Sequence, residues 1–233
     1  MSTVPPALVL VAHGTRNPHG VEMIAELAEQ VSRTVPLVRT AFVDVLGPSP
    51  AEVLRDLGER PAVVVPAFLA SGYHVHVDVP REVAAGSLTA DVVITPALGP
   101  HPDLATAMAE RLAEAGWRPG DAVVFAAAGS SDPRALADVH SAAALLESHL
   151  VTRVSIAYIA TGTPRVAEVV GSIRNQSHRK VFIATYLLAD GLFHQRLHQT
   201  GADGVAAPIG VHPAVVSLIE HHCHVGAAVA LPS

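Results

Sequence analysis

"LVLVAHGTRNP" occupies Leu8–Pro18, and "VVFAAAGSSDP" occupies Val123–Pro133. Each is a short apolar run rich in β-branched or small residues, followed by a glycine, a polar turn and a proline. Such a run reads as a buried strand with a tight exit. The first copy delivers an imidazole, His13, to the strand exit; the second has Ala128 at that place. A side chain that one copy dispenses with is not needed to build the strand or its turn. The pair of stretches therefore points to a duplicated α/β module with a metal site kept in one half.

The same grammar continues outward. "ALVLVAH" (7–13), "LVRTAFVDV" (37–45), "PAVVVPAF" (61–68) and "DVVITPAL" (91–98) read as buried strands, with helical periodicity near 20–34, 49–59, 78–86 and 102–115. After "AEAGWRPGD" (113–121), whose glycines and proline suggest a linker, strands follow at 121–127, 151–159, 180–186 and 204–207, and helices near 133–149, 164–175, 191–200 and 212–223. Near-continuous apolar strands alternating with helices imply parallel sheets covered on both faces. The halves also match in residues. "AFVDVLGPSPAEVL" (41–54) aligns with "AYIATGTPRVAEVV" (157–170), "AFLASGYH" (67–74) with "TYLLADGLFH" (185–194), and "ALGPHPDL" (97–104) with "PIGVHPAV" (208–215). The expectation is two tandem α/β modules, 1–116 carrying the metal site and 117–233 a degenerate repeat. Ligands of such folds bind beyond the carboxyl ends of the strands, so a cleft between modules is the expected substrate site.

Composition narrows the function. Half of the 233 residues are hydrophobic and 15% are charged, which suits a well-cored chain. The net charge of −6 and the lack of a basic run argue against nucleic acid. No apolar run has the roughly 20 residues of a membrane span, and the start lacks signal-peptide features. Cys223 is the only cysteine, which excludes an internal disulfide and suits a cytoplasmic location. Histidine is abundant, with 14 residues against 15 Lys and Arg together, which raises the expectation of metal or proton chemistry.

Three groups fall at strand carboxyl ends of the first half: His13, Asp44 and His74. In a parallel sheet those ends are neighbours, so two imidazoles and a carboxylate are expected to converge as metal ligands. This donor set suits borderline divalent metals, and the absence of thiolates argues against a closed structural zinc site. The competing reading makes His13 a turn residue and Asp44 a cap. The second half has Ala128 and Ala160 at the first two positions, while His74 aligns with Phe193 or His194.

"VLVAHGTRNP", "AFVDVLGPSP", "PAFLASGYHVHVDVP" and "ALGPHPDL" resemble the sirohydrochlorin chelatase family, the class II tetrapyrrole chelatases of siroheme and cobalamin synthesis, in their two-module form. The resemblance spans nearly the whole chain. It implies metal binding by His13 and His74, which act as the catalytic pair, and a tetrapyrrole held between the modules. The family's acidic residue in the second block is usually glutamate; here it is Asp44, one methylene shorter, which weakens the case for direct ligation. The implied reaction inserts a divalent metal, Fe2+ or Co2+, into sirohydrochlorin. The metal is a substrate and no nucleotide is used, in keeping with the missing Gly-x-x-x-x-Gly-Lys loop.

The anionic macrocycle calls for local cations: Arg16, Arg81, Arg165 and Arg196 are candidates, each also readable as a surface charge. Phe68, Tyr73, Tyr186 and Phe193 are candidate ring contacts or ordinary core. Ser130, Phe193 and His194 are expected to meet the macrocycle from the second half. His76 is a candidate entry ligand. His101 and His212, each before proline, are expected at helix starts. The tail "HHCH" (221–224) either captures metal or closes a helix favourably to its dipole. Iron insertion for siroheme leads, cobalt insertion for cobalamin follows, and a metal-delivery protein is the non-enzymatic alternative. A phosphate-handling enzyme with His13 as nucleophile ranks below these. The expected oligomeric state is monomer or homodimer.

Overall fold

A computed structural model describes residues 4–87 and 91–230. The chain forms two compact units, one holding the chain up to Leu98 together with the segment from Val215 onward, the other Gly99–Ala214.

In the first unit β1 (Ala7–Ala12), β2 (Val38–Phe42), β3 (Ala62–Pro66) and β4 (Val92–Ile94) make a parallel sheet in the order β2-β1-β3-β4. All six residues of β1 and all five of β3 are buried, as expected of central strands covered on both faces. Side chains alternate between faces. Val9, Val11, Ala62 and Val64 therefore point one way, into a core with Val53 and Leu54 of α2 (Pro50–Leu57) and Val79 and Val83 of α3 (Val79–Gly86). α1 (Pro18–Val31) packs beside β2. Between β3 and α3 the chain takes one π-helical turn, His74–Asp78.

The second unit repeats the plan with β5 (Ala122–Ala127), β6 (Val154–Tyr158), β7 (Val181–Tyr186) and β8 (Gly204–Val205), parallel in the order β6-β5-β7-β8. Its core joins Val124, Ala126 and Ile183 to Val166 and Val170 of α6 (Val166–Gln176) and Leu197 of α7 (Leu192–Leu197). α4 (Pro102–Glu114) packs against α5 (Pro133–Leu150) and β7.

The last helix of each sequence half thus lies outside the unit its sequence half builds. α4 belongs to the second unit, and most of α8 (Pro213–Ala230) to the first, where Gly226 lies against Val63. The repeat boundary at 116 and the unit boundaries at 98 and 214 are different cuts of the chain. "AEAGWRPGD", expected as a linker, is an internal turn of the second unit. Trp117 is buried there, its backbone N–H donating to Leu112 O, while Arg179 donates to the carbonyls of Gly120 and Asp121.

Four helix starts share one device: a cap residue followed by proline, which presets the first helical residue and needs no N–H partner. The caps are Asn17 for α1, Ser49 for α2, His101 for α4 and Asp132 for α5. The imidazoles of His101 and His212 accept from the N–H groups of Asp103 and Ala214 at 3.2 Å, so both are at helix starts as expected. At α2, Glu52 accepts from Ser49 N–H at 2.7 Å, and that hydrogen bond holds its carboxyl below the ordinary value. The stability this adds is present at neutral pH and is lost as the pH falls through the lowered pKa. α8 runs beyond the expected 212–223. Its interior holds Gly226, where a Cβ would sit 2.5 Å from Val63 Cγ1, so the close approach requires glycine. His221–His224 therefore lie inside the helix, and the expected dipole role at a helix end does not hold.

Candidate metal centre

His13 directly follows β1. Its carbonyl accepts from Asp44 N–H at 3.0 Å, which ties the β1 exit to the loop after β2. Gly14 makes this crossing possible: its φ is +92°, and a Cβ on it would lie 2.0 Å from Asp44 O. The backbone is pinned while the imidazole stays exposed, with Nδ1 donating to Gly14 O at 3.0 Å.

His74 opens the π-helical turn after β3. Its Nδ1 donates to Asp78 Oδ2 at 2.7 Å, and Arg81 holds the other oxygen, Oδ1, at 3.0 Å. Asp78 is buried and His74 is about one-third exposed (35%), so the hydrogen bond runs inward and the other edge of the ring faces out. The two imidazoles meet edge to face, with centroids 4.4 Å apart. Phe68 stacks near His74 at 6.2 Å and 25°, and the exposed Tyr73 stands edge-on to it, also at 6.2 Å.

In both histidines Nδ1–H is spent on a protein oxygen. The neutral ring then carries its lone pair on Nε2, which is how a protein sets the tautomer of a metal-binding histidine. Among the described residues neither Nε2 has a hydrogen-bond partner. Metal–imidazole bonds run about 2.0–2.1 Å, so rings this close are within reach of one shared ion.

Asp44 lies in the loop after β2, its backbone N–H on the carbonyl of His13. Its Oδ1 accepts from the N–H of Val45 at 2.8 Å, in a turn where Val45 has φ +66°. Among the described residues no group of three His, Cys, Asp or Glu side chains is arranged to hold a metal ion. Of the expected set, the His13 and His74 rings are the two groups in contact with one another. Asp44→Ala is expected to change Co2+ affinity by less than about tenfold, the lower end of what even an indirect metal partner supplies. Titration of both proteins with Co2+, followed by visible absorbance, checks this.

The remaining candidates are placed as follows. Arg16 is exposed in the turn between β1 and α1. Ser130 accepts from Asp132 N–H at 3.0 Å, as Thr15 accepts from Asn17 N–H at 3.1 Å, so its oxygen serves the turn before α5. Phe193 is partly exposed (36%), with the Arg196 guanidinium 5.9 Å from its ring. Both nitrogens of His194 are engaged, Nδ1 with Asp190 at 2.9 Å and Nε2 with Ala206 O at 3.2 Å, so the ring offers no free donor to a metal. Tyr186 is core, packed on Phe125 at 4.8 Å; burial, with Asp138 nearby, pushes its phenol well above the ordinary range. Arg81 is held by Asp78, and Arg165 donates to Ala160 O. His76 is exposed on the π turn. Asp78 stands in the Gly-x-His-x-x-x-Asp-x-Pro motif of the stretch "PAFLASGYHVHVDVP" but carried no role there, although His74-x-x-x-Asp78 places the two four residues apart on a helical turn, the spacing at which side chains meet.

The second unit reproduces this scaffold without the imidazole. Ala128 O accepts from Ala160 N–H at 3.0 Å, as His13 O does from Asp44 N–H. Gly129 has φ +90°, and a Cβ on it would lie 1.6 Å from Thr161 O. The strand exit and its glycine are structural, and the imidazole is an addition.

A family model described as CbiX matches residues 7–115 and 122–224, once over each half. Sirohydrochlorin ferrochelatase of Priestia megaterium is 24% identical over 234 residues, covering 92% of this chain and 88% of that protein. Sirohydrochlorin cobaltochelatase of Sulfolobus acidocaldarius is 34% identical over 95 residues, 40% of this chain and 77% of its own. Among solved structures, SirB from Bacillus subtilis with Fe3+ superposes with a TM-score of 0.84 at 23% identity, covering 97% of this chain and 96% of SirB. Both halves of the sequence carry the family's pattern, and the chain belongs to the CbiX family.

Proposed function

We propose that this protein is a sirohydrochlorin chelatase that inserts a divalent metal, Fe2+ in our reading, into sirohydrochlorin without ATP. The observation that carries the reading is the His13–His74 pair, with rings 4.4 Å apart and both Nδ1 atoms turned to protein oxygens. Membership of the CbiX family and the curated relatives named sirohydrochlorin chelatases support it.

The incoming metal is held through the Nε2 atoms of His13 and His74. With only two protein ligands, its other positions remain for water and then for the macrocycle. The four macrocycle nitrogens must shed two protons as the metal enters. Each nitrogen that binds displaces a water or an imidazole, and the lone pair of the released Nε2 can accept a pyrrole proton. A thiolate would hold a soft metal more firmly and serve transfer less well. Arg16 is the nearby cation we assign to the carboxylate rim, and Phe68 and Tyr73 supply apolar and aromatic surface beside His74. Among the described residues no helix is long and apolar enough to cross a membrane. We place the reaction in the cytoplasm.

Iron is preferred because the relative matched across both halves is named a ferrochelatase. Cobalt is the second reading, favoured by the relatives named cobaltochelatases that match at higher identity over shorter stretches. The test incubates the protein with sirohydrochlorin and Fe2+, Co2+ or Ni2+ in turn, anaerobically for iron, and follows the change in the tetrapyrrole spectrum. Fastest insertion of Fe2+ is expected. Fastest insertion of Co2+ reassigns the metal, and no insertion of any metal above the rate without protein refutes the enzyme in favour of metal delivery.

The metal should bind once per chain. His194 has both nitrogens engaged, and Ala128 and Ala160 stand where partners would be. Equilibrium dialysis with Co2+ is expected to give one tight site, unchanged in His194→Ala and in a double variant of the exposed tail histidines, His221→Ala with His224→Ala. A second tight site that disappears in His194→Ala would show that the second half is a metal site too.

A further inference from the structure

We propose that Asp78 is a positioning residue that sets the tautomer of His74 and thereby its grip on the metal. The inference rests on the reading of His13 and His74 as the metal pair and deepens it. The carboxylate divides its two oxygens: Oδ2 takes the His74 Nδ1–H at 2.7 Å and Oδ1 takes the Arg81 guanidinium at 3.0 Å. Asp78 is buried (7% exposed) beneath a histidine that is not, so the group faces inward and does not touch an incoming metal or macrocycle. The π-helical turn that begins at His74 and ends at Asp78 brings the pair together, and turns of this kind occur often at functional sites.

The second unit supplies a contrast. His194 also gives Nδ1 to an aspartate four residues away, Asp190, but its Nε2 is occupied by the carbonyl of Ala206. A His–Asp pair closed at both ends is a structural bolt. The His74–Asp78 pair is closed only at the inner end, which leaves Nε2 as the working atom. A carboxylate at Nδ1 disfavours the tautomer that would put the proton on Nε2.

Asp78→Asn keeps the shape and removes one of the two acceptors. The single amide oxygen then serves either Arg81 or His74, and when Arg81 takes it the amide N–H2 faces His74. That favours the proton on Nε2 and blocks ligation. Outer partners of this type are worth about 10–100-fold in metal affinity.

The experiment titrates wild type, Asp78→Asn and His74→Ala with Co2+ in the absence of tetrapyrrole, by visible absorbance, alongside circular dichroism. Nitrogen-15 NMR of the metal-free wild type reads the His74 tautomer. The expected result is a 10- to 100-fold weaker Kd in folded Asp78→Asn, with His74 protonated at Nδ1 in wild type. A folded Asp78→Asn variant that binds Co2+ within twofold of wild type overturns the positioning role and leaves the His13–His74 site standing. Loss of no affinity in His74→Ala overturns the site and this inference with it. Should Asp78→Asn fail to fold, the wild-type spectrum decides alone, and a proton on His74 Nε2 refutes the proposal.

Discussion

His74→Ala is expected to abolish metal insertion while the protein remains folded. Partners that merely hold a ligand in place contribute about 10–100-fold to metal affinity, so removal of the ligand itself should exceed the upper value. The change costs the fold one hydrogen bond, that to Asp78 Oδ2. His74 lies at the solvent edge of the first unit, and its one hydrogen bond goes to Asp78, which keeps Arg81. His13→Ala should behave alike, because the second unit already builds the same strand exit with Ala128. Co2+ titration and the tetrapyrrole assay should fall together in each variant, with an unchanged circular dichroism spectrum. Unfolding of both variants would make these histidines structural, and retention of Co2+ affinity with a normal fold would move the metal elsewhere.

Gly14→Ala should destabilise the protein strongly. A left-handed backbone at a non-glycine residue costs about 1–3 kcal/mol. The added Cβ would also stand 2.0 Å from the carbonyl oxygen of Asp44, a backbone atom that cannot rotate aside. The loop after β2 must move or the β1 exit must open, and either breaks the hydrogen bond from Asp44 N–H to His13 O. The sum should reach about 4 kcal/mol or more, a range reserved for strain and core disruption. It is a large share of the roughly 5–15 kcal/mol that holds a typical protein folded. Urea unfolding measures it, and a loss under about 1 kcal/mol, the mean for an ordinary substitution, would show that the loop yields freely. Any folded fraction should bind Co2+ poorly, since His13 hangs from the same turn. Gly129→Ala should destabilise in the same way without a direct effect on metal, because no imidazole depends on that exit.

The amino-acid sequence by itself determined the module. Runs such as "ALVLVA" and "AVVVP", buried along their whole length, specify central parallel strands, and the cap-and-proline pairs specify where helices begin. These signals lie within a few residues of the structure they dictate, so they survive in both halves and expose the duplication. The same comparison singled out His13, because its counterpart is alanine. Strand ends are the coarser part of that signal. β4 spans three residues where eight were expected, since its later residues leave the ladder before the turn at Gly99.

Tertiary structure decided what depends on the path of loops between strand ends. Asp44 and His74 look equivalent in sequence, each a few residues beyond a strand. The chain after β2 turns at Val45, whose N–H takes one oxygen of Asp44, whereas the chain after β3 winds into a π turn at which His74 meets the ring of His13. Asp78 became a partner of His74 only through that turn. His194, legible as a histidine near a strand end, is closed off because Ala206, twelve residues further on, brings its carbonyl to Nε2. The membership of α4 and α8 was equally beyond local reading. An apolar helix face specifies burial but not which sheet it covers, and at Gly226 the choice rests on contact with Val63, more than 160 residues away in the chain.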